Sequence, residues 1–283
     1  MALVALTDLT AADGYRLGAT LFRPAASNHR AVLIMAATGV PQEYYAKFAA
    51  FLAERGFTVL TFDYRGIGRS LHGPLRSVKA GMRDWAVLDG AAAFEFLDTT
   101  YPEHKILAVG HSFGGQSFGL LPRPERIAAA LTVGSQSGYW KHWPALGRAW
   151  MWPSTHIGLP LVPRLLGYFP GSRLGFGEDL PKGVTIEWAS WCRHPRYLVG
   201  ALGVEREYAR FRAPLRLYSI SDDAFAPHRA VEALAVLYEN STSEIRSIEP
   251  ADVNADRIGH FGFFRERFRD SLWREARDWL EAQ

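Results

Sequence analysis

The sequence predicts an α/β fold: a mostly parallel, doubly wound sheet with a helical segment inserted late in the chain. Three observations predict it. From Ala31 to Val133, short runs of β-forming apolar residues alternate with stretches at helical spacing. One of those runs, Ile106 to Val109, leads into Gly110-His111-Ser112-Phe113-Gly114 and then a helix start. The alternation breaks at Gly138, and no β-α unit is readable again until after Arg206.

Taken in order, residues 3–9 and 15–22 read as two strands joined by the turn Ala12-Asp13-Gly14. Ala31 to Met35 is a buried strand followed by the small-residue loop from Ala36 to Pro41. A helix runs from about Gln42 to Arg55, with Tyr45, Phe48, Ala49 and Leu52 on its apolar face and Gly56 as its stop. Phe57 to Phe62 is the next strand, ending in Asp63-Tyr64-Arg65-Gly66-Ile67-Gly68-Arg69-Ser70. The pair Gly66 and Gly68 does not continue into a dinucleotide fingerprint, because Leu71 stands where the third glycine belongs, so it reads as a tight loop. A long helix from Arg83 to about Leu97 precedes the Ser112 strand, and Ile127 to Val133 follows it. Seven prolines and six of the nine tryptophans then fall between 138 and 206, too long a stretch for a plain loop. We expect a core of residues 1–137 and 207–283 and an inserted helical cap at 138–206. The sheet resumes with Leu215 to Ile220, a helix from His228 to about Glu239, a strand near Glu244–Ile248, and a final helix. That helix packs through Leu272, Trp273, Ala276, Trp279 and Leu280.

At 283 residues the chain fits one large domain with an insertion. Its net charge is only +3 and its basic residues are dispersed, which argues against a nucleic-acid partner. Cys192 is the only cysteine, so no intrachain disulfide forms and a reducing compartment is expected. The apolar N-terminus lacks the basic start of a signal peptide, and no run reaches the length of a membrane span. A cytoplasmic protein is expected. The scattered histidines make no metal-ligand spacing and no phosphate loop is present, so neither a metal nor a cofactor is expected.

The chemistry centres on Ser112. In a strand–turn–helix setting, the G-x-S-x-G pattern places a serine on a sharp turn, where its hydroxyl is exposed at the edge of the sheet. The helix behind it points free N–H groups at a developing oxyanion. A serine hydroxyl needs a base, and the base needs an orienting carboxylate. His260 lies in a loop after the final strand, where the base of such a fold belongs, whereas His228 reads as a helix-end residue. His111 stands on the far side of the elbow and should point away. Asp222 and Asp223 both end the Leu215–Ile220 strand; Asp252 and Asp256 read as turn or cap residues.

These pieces resemble the α/β-hydrolase fold superfamily, in the branch of serine hydrolases with a helical cap that includes prolyl aminopeptidases and monoglyceride lipases. The likeness rests on Gly-His-Ser112-Phe-Gly-Gly115, the Asp63–Ser70 loop, Ser221-Asp-Asp-Ala-Phe-Ala-Pro227 and Gly259-His260-Phe-Gly-Phe-Phe264. The ending after His260 also resembles a poorly characterised bacterial group of α/β-hydrolases. The resemblance implies Ser112, Asp223 and His260 as a triad, Asp223 being favoured because the family's acid precedes a proline by four residues. It implies an oxyanion hole from the backbone N–H groups of Val40 and Phe113. The chain departs from the family at Thr38-Gly39, where His-Gly is common; Thr38 adds a hydroxyl near the site.

The expected activity is hydrolysis of a carboxylic ester or related acyl bond on a small, apolar substrate. Acyl transfer by the same triad is the first alternative, and a non-catalytic binding protein on this scaffold the second. Dehalogenase and epoxide hydrolase chemistry require an Asp at position 112. Trp140, Trp143, Trp188 and Trp191 are expected to line the substrate pocket, with Arg193 or His194 as possible polar handles.

Overall fold

Strands rich in Val, Ile, Leu and Ala that are buried on both faces can only sit inside a parallel sheet covered by helices. The computed structural model describes residues 2–175 and 177–283 and has this arrangement. Strands β1 (Leu3–Thr10) and β2 (Arg16–Arg23) form an antiparallel hairpin. They are followed by β3 (Arg30–Met35), β4 (Thr58–Phe62), β5 (Lys105–His111) and β6 (Ile127–Val133). After a long excursion come β9 (Leu215–Ile220) and β10 (Ser243–Ile248), and all eight form one sheet in the order β1-β2-β4-β3-β5-β6-β9-β10. From β4 to β10 every neighbouring pair is parallel. The central β5 has only its first residue exposed, and the sheet's C-terminal edge, where β5 ends at His111, carries the serine.

Helices α1 (Ala46–Ala53) and α2 (82–100) cover the sheet, α2 having a π turn at Trp85–Gly90. The helix behind the serine, α3 (Phe113–Gln116), is a single turn, followed by a 3-10 turn at Phe118–Leu120. Between β6 and β9 lie a helical run α4 (145–166), the two-residue strands β7 (Tyr168–Phe169) and β8 (Leu180–Pro181), then α5 (Lys182–Arg193) and α6 (Tyr197–Leu202). The core segment resumes through β9, α7 (His228–Leu237), β10, the one-turn α8 (Gly259–Gly262) and α9 (Arg274–Glu281).

The Asp63–Ser70 loop supports the nucleophile region from below. Arg65 is buried and donates to Asp89 through Nε at 2.7 Å and through its backbone N–H at 2.8 Å, while its far end pairs with Asp13. Burial pushes the Asp89 carboxyl up to about 7 against the pull of the Arg65 guanidinium. The Arg65 carbonyl accepts the Trp85 indole N–H, and Trp85 stacks on Tyr64 with ring centroids 4.9 Å apart. Both rings meet Phe113, the residue after Ser112, edge-on. Arg65→Ala removes one partner of a buried pair and leaves Asp89 unpaired. It should lower unfolding free energy by about 3 kcal/mol in urea titration. A loss below about 1 kcal/mol would show that the loop is held by its backbone alone.

Candidate active site

The sharp turn at the end of β5 forces Ser112 into φ 51°, ψ −115°, a conformation that is rare outside glycine. Close backbone crossings make this turn possible. A Cβ on Gly114 would overlap the Met35 carbonyl at the end of β3, and one on Gly110 would overlap the backbone of Gly115. The Ser112 N–H is held by Val133 O at 3.0 Å, and its carbonyl accepts from Gly115 and Gln116. Among the described residues its hydroxyl makes no hydrogen bond. Ser112 faces a cavity of about 40 Å³ lined also by Ala37, Thr38, Gln136, Trp188, His260 and others.

His260 enters that cavity from α8, and its Nδ1 lies 2.7 Å from Asp223 Oδ2. Asp223 Oδ1 accepts the N–H groups of Phe225 at 2.8 Å and Ala226 at 3.1 Å, which fixes the carboxylate's plane. Room for the pair depends on Gly134, at φ 56°, whose Cβ would stand 2.9 Å from Asp223 Oδ2 and 3.1 Å from His260 Nδ1. Asp222 faces the other way and accepts from Ile258 N at 3.0 Å and Gly259 N at 2.9 Å, so it ties down the segment that bears His260. The two neighbouring aspartates thus divide the work between imidazole and backbone.

His111 points away from Ser112, as the sequence suggested, and makes a further tie. Tyr45 OH accepts the Ala37 N–H at 2.9 Å and donates to His111 Nδ1 at 2.8 Å. This leaves His111 Nε2–H to donate to the His260 carbonyl at 2.9 Å. Burial, with the nearby His260 second, holds the His111 pKa well below its ordinary value, so the ring stays neutral. Nothing in the sequence marked Tyr45 beyond its place on an apolar face.

The loop after β3 departs from the positional assignment. Val40 N–H donates to Ala37 O at 3.1 Å, closing a turn, and Val40 is not among the residues lining the serine cavity. Thr38 lines it instead. Among the described residues the N–H groups of Thr38 and Phe113 have no acceptor.

A larger, mostly apolar chamber of about 320 Å³ adjoins the serine cavity and shares Gln136, Trp188 and Phe225 with it. Trp143 and Trp188 line it, as expected, together with Trp150, which the sequence reading left out. Trp140 and Trp191 do not. Trp191 is buried in the main core, and Trp140 packs beside Trp143 and Met151. Arg193 donates to Thr155 O and His194 Nδ1 accepts from Arg196 N, and neither side chain lines the chamber. Cys192 is in its wall, buried, with its thiol pKa pushed up by burial. Gln136, at the junction, accepts from Gln116 at 3.0 Å and donates to the Phe225 carbonyl at 3.1 Å. No group of metal-ligating side chains forms among the described residues.

A strained serine at the C-terminal edge of a parallel sheet, with a histidine–aspartate pair arriving from the last two strand ends, defines the α/β-hydrolase fold. The family model described as alpha/beta hydrolase family matches residues 32–270, and the chain belongs to that family. Among solved structures it is similar to an esterase from Pyrococcus furiosus, at 16% identity over 99% of this chain and 91% of that one, with a TM-score of 0.65. It is also similar to an esterase domain from a Rhodothermus marinus protein, at 18% identity over 98% of each chain, with a TM-score of 0.60. An alpha/beta hydrolase from Penicillium sp. sh18 is similar at 18% identity over 99% of this chain and 98% of that one, with a TM-score of 0.63. At these identities the likeness is one of fold. No curated protein matches the sequence.

In the triad proposed below, Asp223→Asn would force the wrong imidazole tautomer on His260 and should cost about 10⁴-fold in kcat. Asp222→Asn keeps one acceptor for the 258–259 N–H groups and should cost far less. Steady-state rates on an activated ester measure both, and equal losses would refute the division of roles.

Proposed function

We propose that this protein is a serine hydrolase that cleaves a carboxylic ester or a related acyl bond through an acyl-enzyme. The observation that carries the reading is the pairing of a strained, cavity-facing Ser112 with a His260 whose Nδ1 is 2.7 Å from a buried Asp223. In this reading His260 Nε2 takes the Ser112 proton as the oxygen attacks the acyl carbonyl, and Asp223 stabilises the resulting imidazolium. The proton then goes to the leaving group. Water repeats the sequence on the acyl-enzyme, and Ser112 is restored. No cofactor takes part.

The developing oxyanion needs N–H donors on the side away from His260. Phe113 N–H, at the start of α3, is one. Thr38 N–H is the better second donor than Val40 N–H, because the latter is already engaged by Ala37 O. A neutral His111 beside the base also matters: a second positive charge 5.0 Å from the His260 ring would oppose formation of the imidazolium.

The stretch from about 138 to 206 acts as a cap in this proposal, and its chamber receives the apolar acyl or alkyl portion of the substrate. Tryptophan and aliphatic side chains make most of that wall, with Gln136 at the polar end near Ser112.

Ser112→Ala should retain its stability and lose about 10⁴-fold or more in kcat on p-nitrophenyl esters, along with labelling by a fluorophosphonate. Near wild-type turnover in that variant would end the assignment. Trp150, half-exposed in the chamber wall, is the probe of the chamber. Trp150→Ala should shift the preferred acyl length and raise KM for the preferred ester while fluorophosphonate labelling persists. An unchanged chain-length profile would remove the chamber from substrate binding.

A further inference from the structure

Eight of the thirteen large apolar side chains that stand exposed in the described structure fall between Leu146 and Leu174. Along α4 they follow helical spacing: Leu146, Trp150, Ile157, Leu161 and Leu165 form one outward stripe, with Leu146 89% and Leu165 74% exposed. The opposite side of the run, including Met151, Thr155, Leu159 and Pro163, is buried. The helix is therefore apolar both inward and outward, which packing within this chain does not require. Exposed apolar patches of this kind mark interaction surfaces.

The charges carried by the stripe's own segment have one sign. No Asp or Glu occurs from Ile127 to Gly177, while Lys141, Arg148, Arg164 and Arg173 all lie in that stretch. Among the described residues none of the four is in an ion pair with a carboxylate; Arg148 and Arg164 donate only to backbone carbonyls of their own segment. Asp179 reaches the far end, where it accepts from Ser172 N–H and Oγ–H beside Arg173, but the segment that bears the exposed leucines and tryptophans carries cations alone, which fits an anionic, apolar partner. No helix among the described residues is long and apolar enough to cross a membrane, so the partner is one on which the protein lies. Trp150 and Leu174 belong both to the exposed set and to the wall of the 320 Å³ chamber, so the chamber opens toward this face.

We propose that the outer face of α4, with Leu174, is a docking surface for anionic lipid bilayers. The leucine stripe enters the headgroup region and the flanking cations meet anionic headgroups. The link from this surface to substrate entry rests on the hydrolase reading above, whereas the docking itself does not. It is therefore tested on Ser112→Ala protein, with binding and not turnover as the readout.

The experiment is flotation with vesicles of phosphatidylcholine alone and of phosphatidylcholine with phosphatidylglycerol in equal parts. The protein is expected to float with the phosphatidylglycerol vesicles, weakly or not at all with phosphatidylcholine alone, and less in high salt. Leu161→Asp with Leu165→Asp should abolish flotation. Arg164→Glu with Arg173→Glu should weaken it by about fivefold or more for each cation removed. None of these four residues lines the chamber or the serine cavity, and all are exposed, so the thermal midpoint should hold, as should rates on a soluble short-chain ester when the same substitutions are made with Ser112 intact. Equal flotation with both vesicle types, or flotation undiminished by the paired leucine substitutions, would overturn the proposal. So would a stable dimer of the parent protein that the leucine substitutions convert to monomer, which would make the face a contact between two copies of this chain.

Discussion

The backbone crossing at the elbow is the constraint on which the rest of the structure depends. Ser112 is held at a positive φ only because β5 and α3 approach each other, and β3, too closely for a side chain at Gly110 or Gly114. A strained serine costs on the order of 1–3 kcal/mol and persists only where its surroundings over-determine it. Here they do. Val133 O, the Gly115 and Gln116 N–H groups, and the Tyr64–Trp85 stack behind Phe113 all fix the same few residues. The aromatic stack is in turn tied to Arg65 and Asp89, so a buried ion pair between the Asp63–Ser70 loop and α2 helps set the position of Ser112.

His260 is held by the same strategy applied to a different kind of segment. The segment around His260 has one turn of helix and little regular pairing of its own. Its backbone groups are met by side chains instead. Asp222 takes the N–H groups of Ile258 and Gly259, His111 donates to the His260 carbonyl, Tyr44 OH to that of Phe261, and Trp273 Nε1 to that of Phe263 at 2.7 Å. Five polar groups between 258 and 263 are thus satisfied by four side chains, from β5, the turn leading into α1, the segment after β9 and the residue before α9. His111 belongs to both systems: it ends β5 next to Ser112 and, through Tyr45, reaches Ala37 in the loop after β3. Buried polar chains of this kind fix geometry because each unsatisfied member would be costly.

How much of this was legible in the sequence follows from the range of each interaction. The sheet strands were readable within a residue or two, because their apolar runs report burial on both faces; Ile127–Val133 and Leu215–Ile220 fall where the pattern put them. The turn at Ser112 was readable because a strand end followed by glycines leaves few conformations, and the place of His260 after the last strand followed from chain order. Val40 was assigned by position alone, and its N–H is taken by a turn that depends on the local backbone path, which position in the chain does not determine. Among the tryptophans, residue type announced a cap rich in aromatic surface, but which rings face the chamber depends on the phase of α4 and α5. Pro153, Pro160 and Pro163 sit in a nearly continuous helical run, because a π turn at Ser154–Gly158 absorbs the mismatch after Pro153.

The excursion between β6 and β9 is also bound to the chemistry it covers. Glu178 N–H donates to the Gly39 carbonyl at 2.7 Å, and its carboxylate accepts the Gly68 N–H at 2.9 Å. Gly39 lies in the turn that Ala37 and Val40 close, and Gly68 lies in the Asp63–Ser70 loop under which Asp63 collects the Gln42 and Arg69 N–H groups. Burial pushes the Asp63 carboxyl up to about 6, and those N–H groups oppose the shift. Gly177 packs against Gly39 so closely that a Cβ there would overlap the carbonyl oxygen. The same peptide group that carries the Gly39 carbonyl carries the Val40 N–H, so a donor from the excursion fixes the plane of the loop beside Thr38. The excursion is therefore part of the wall of the serine cavity as well as of the apolar chamber, through Trp188 in both.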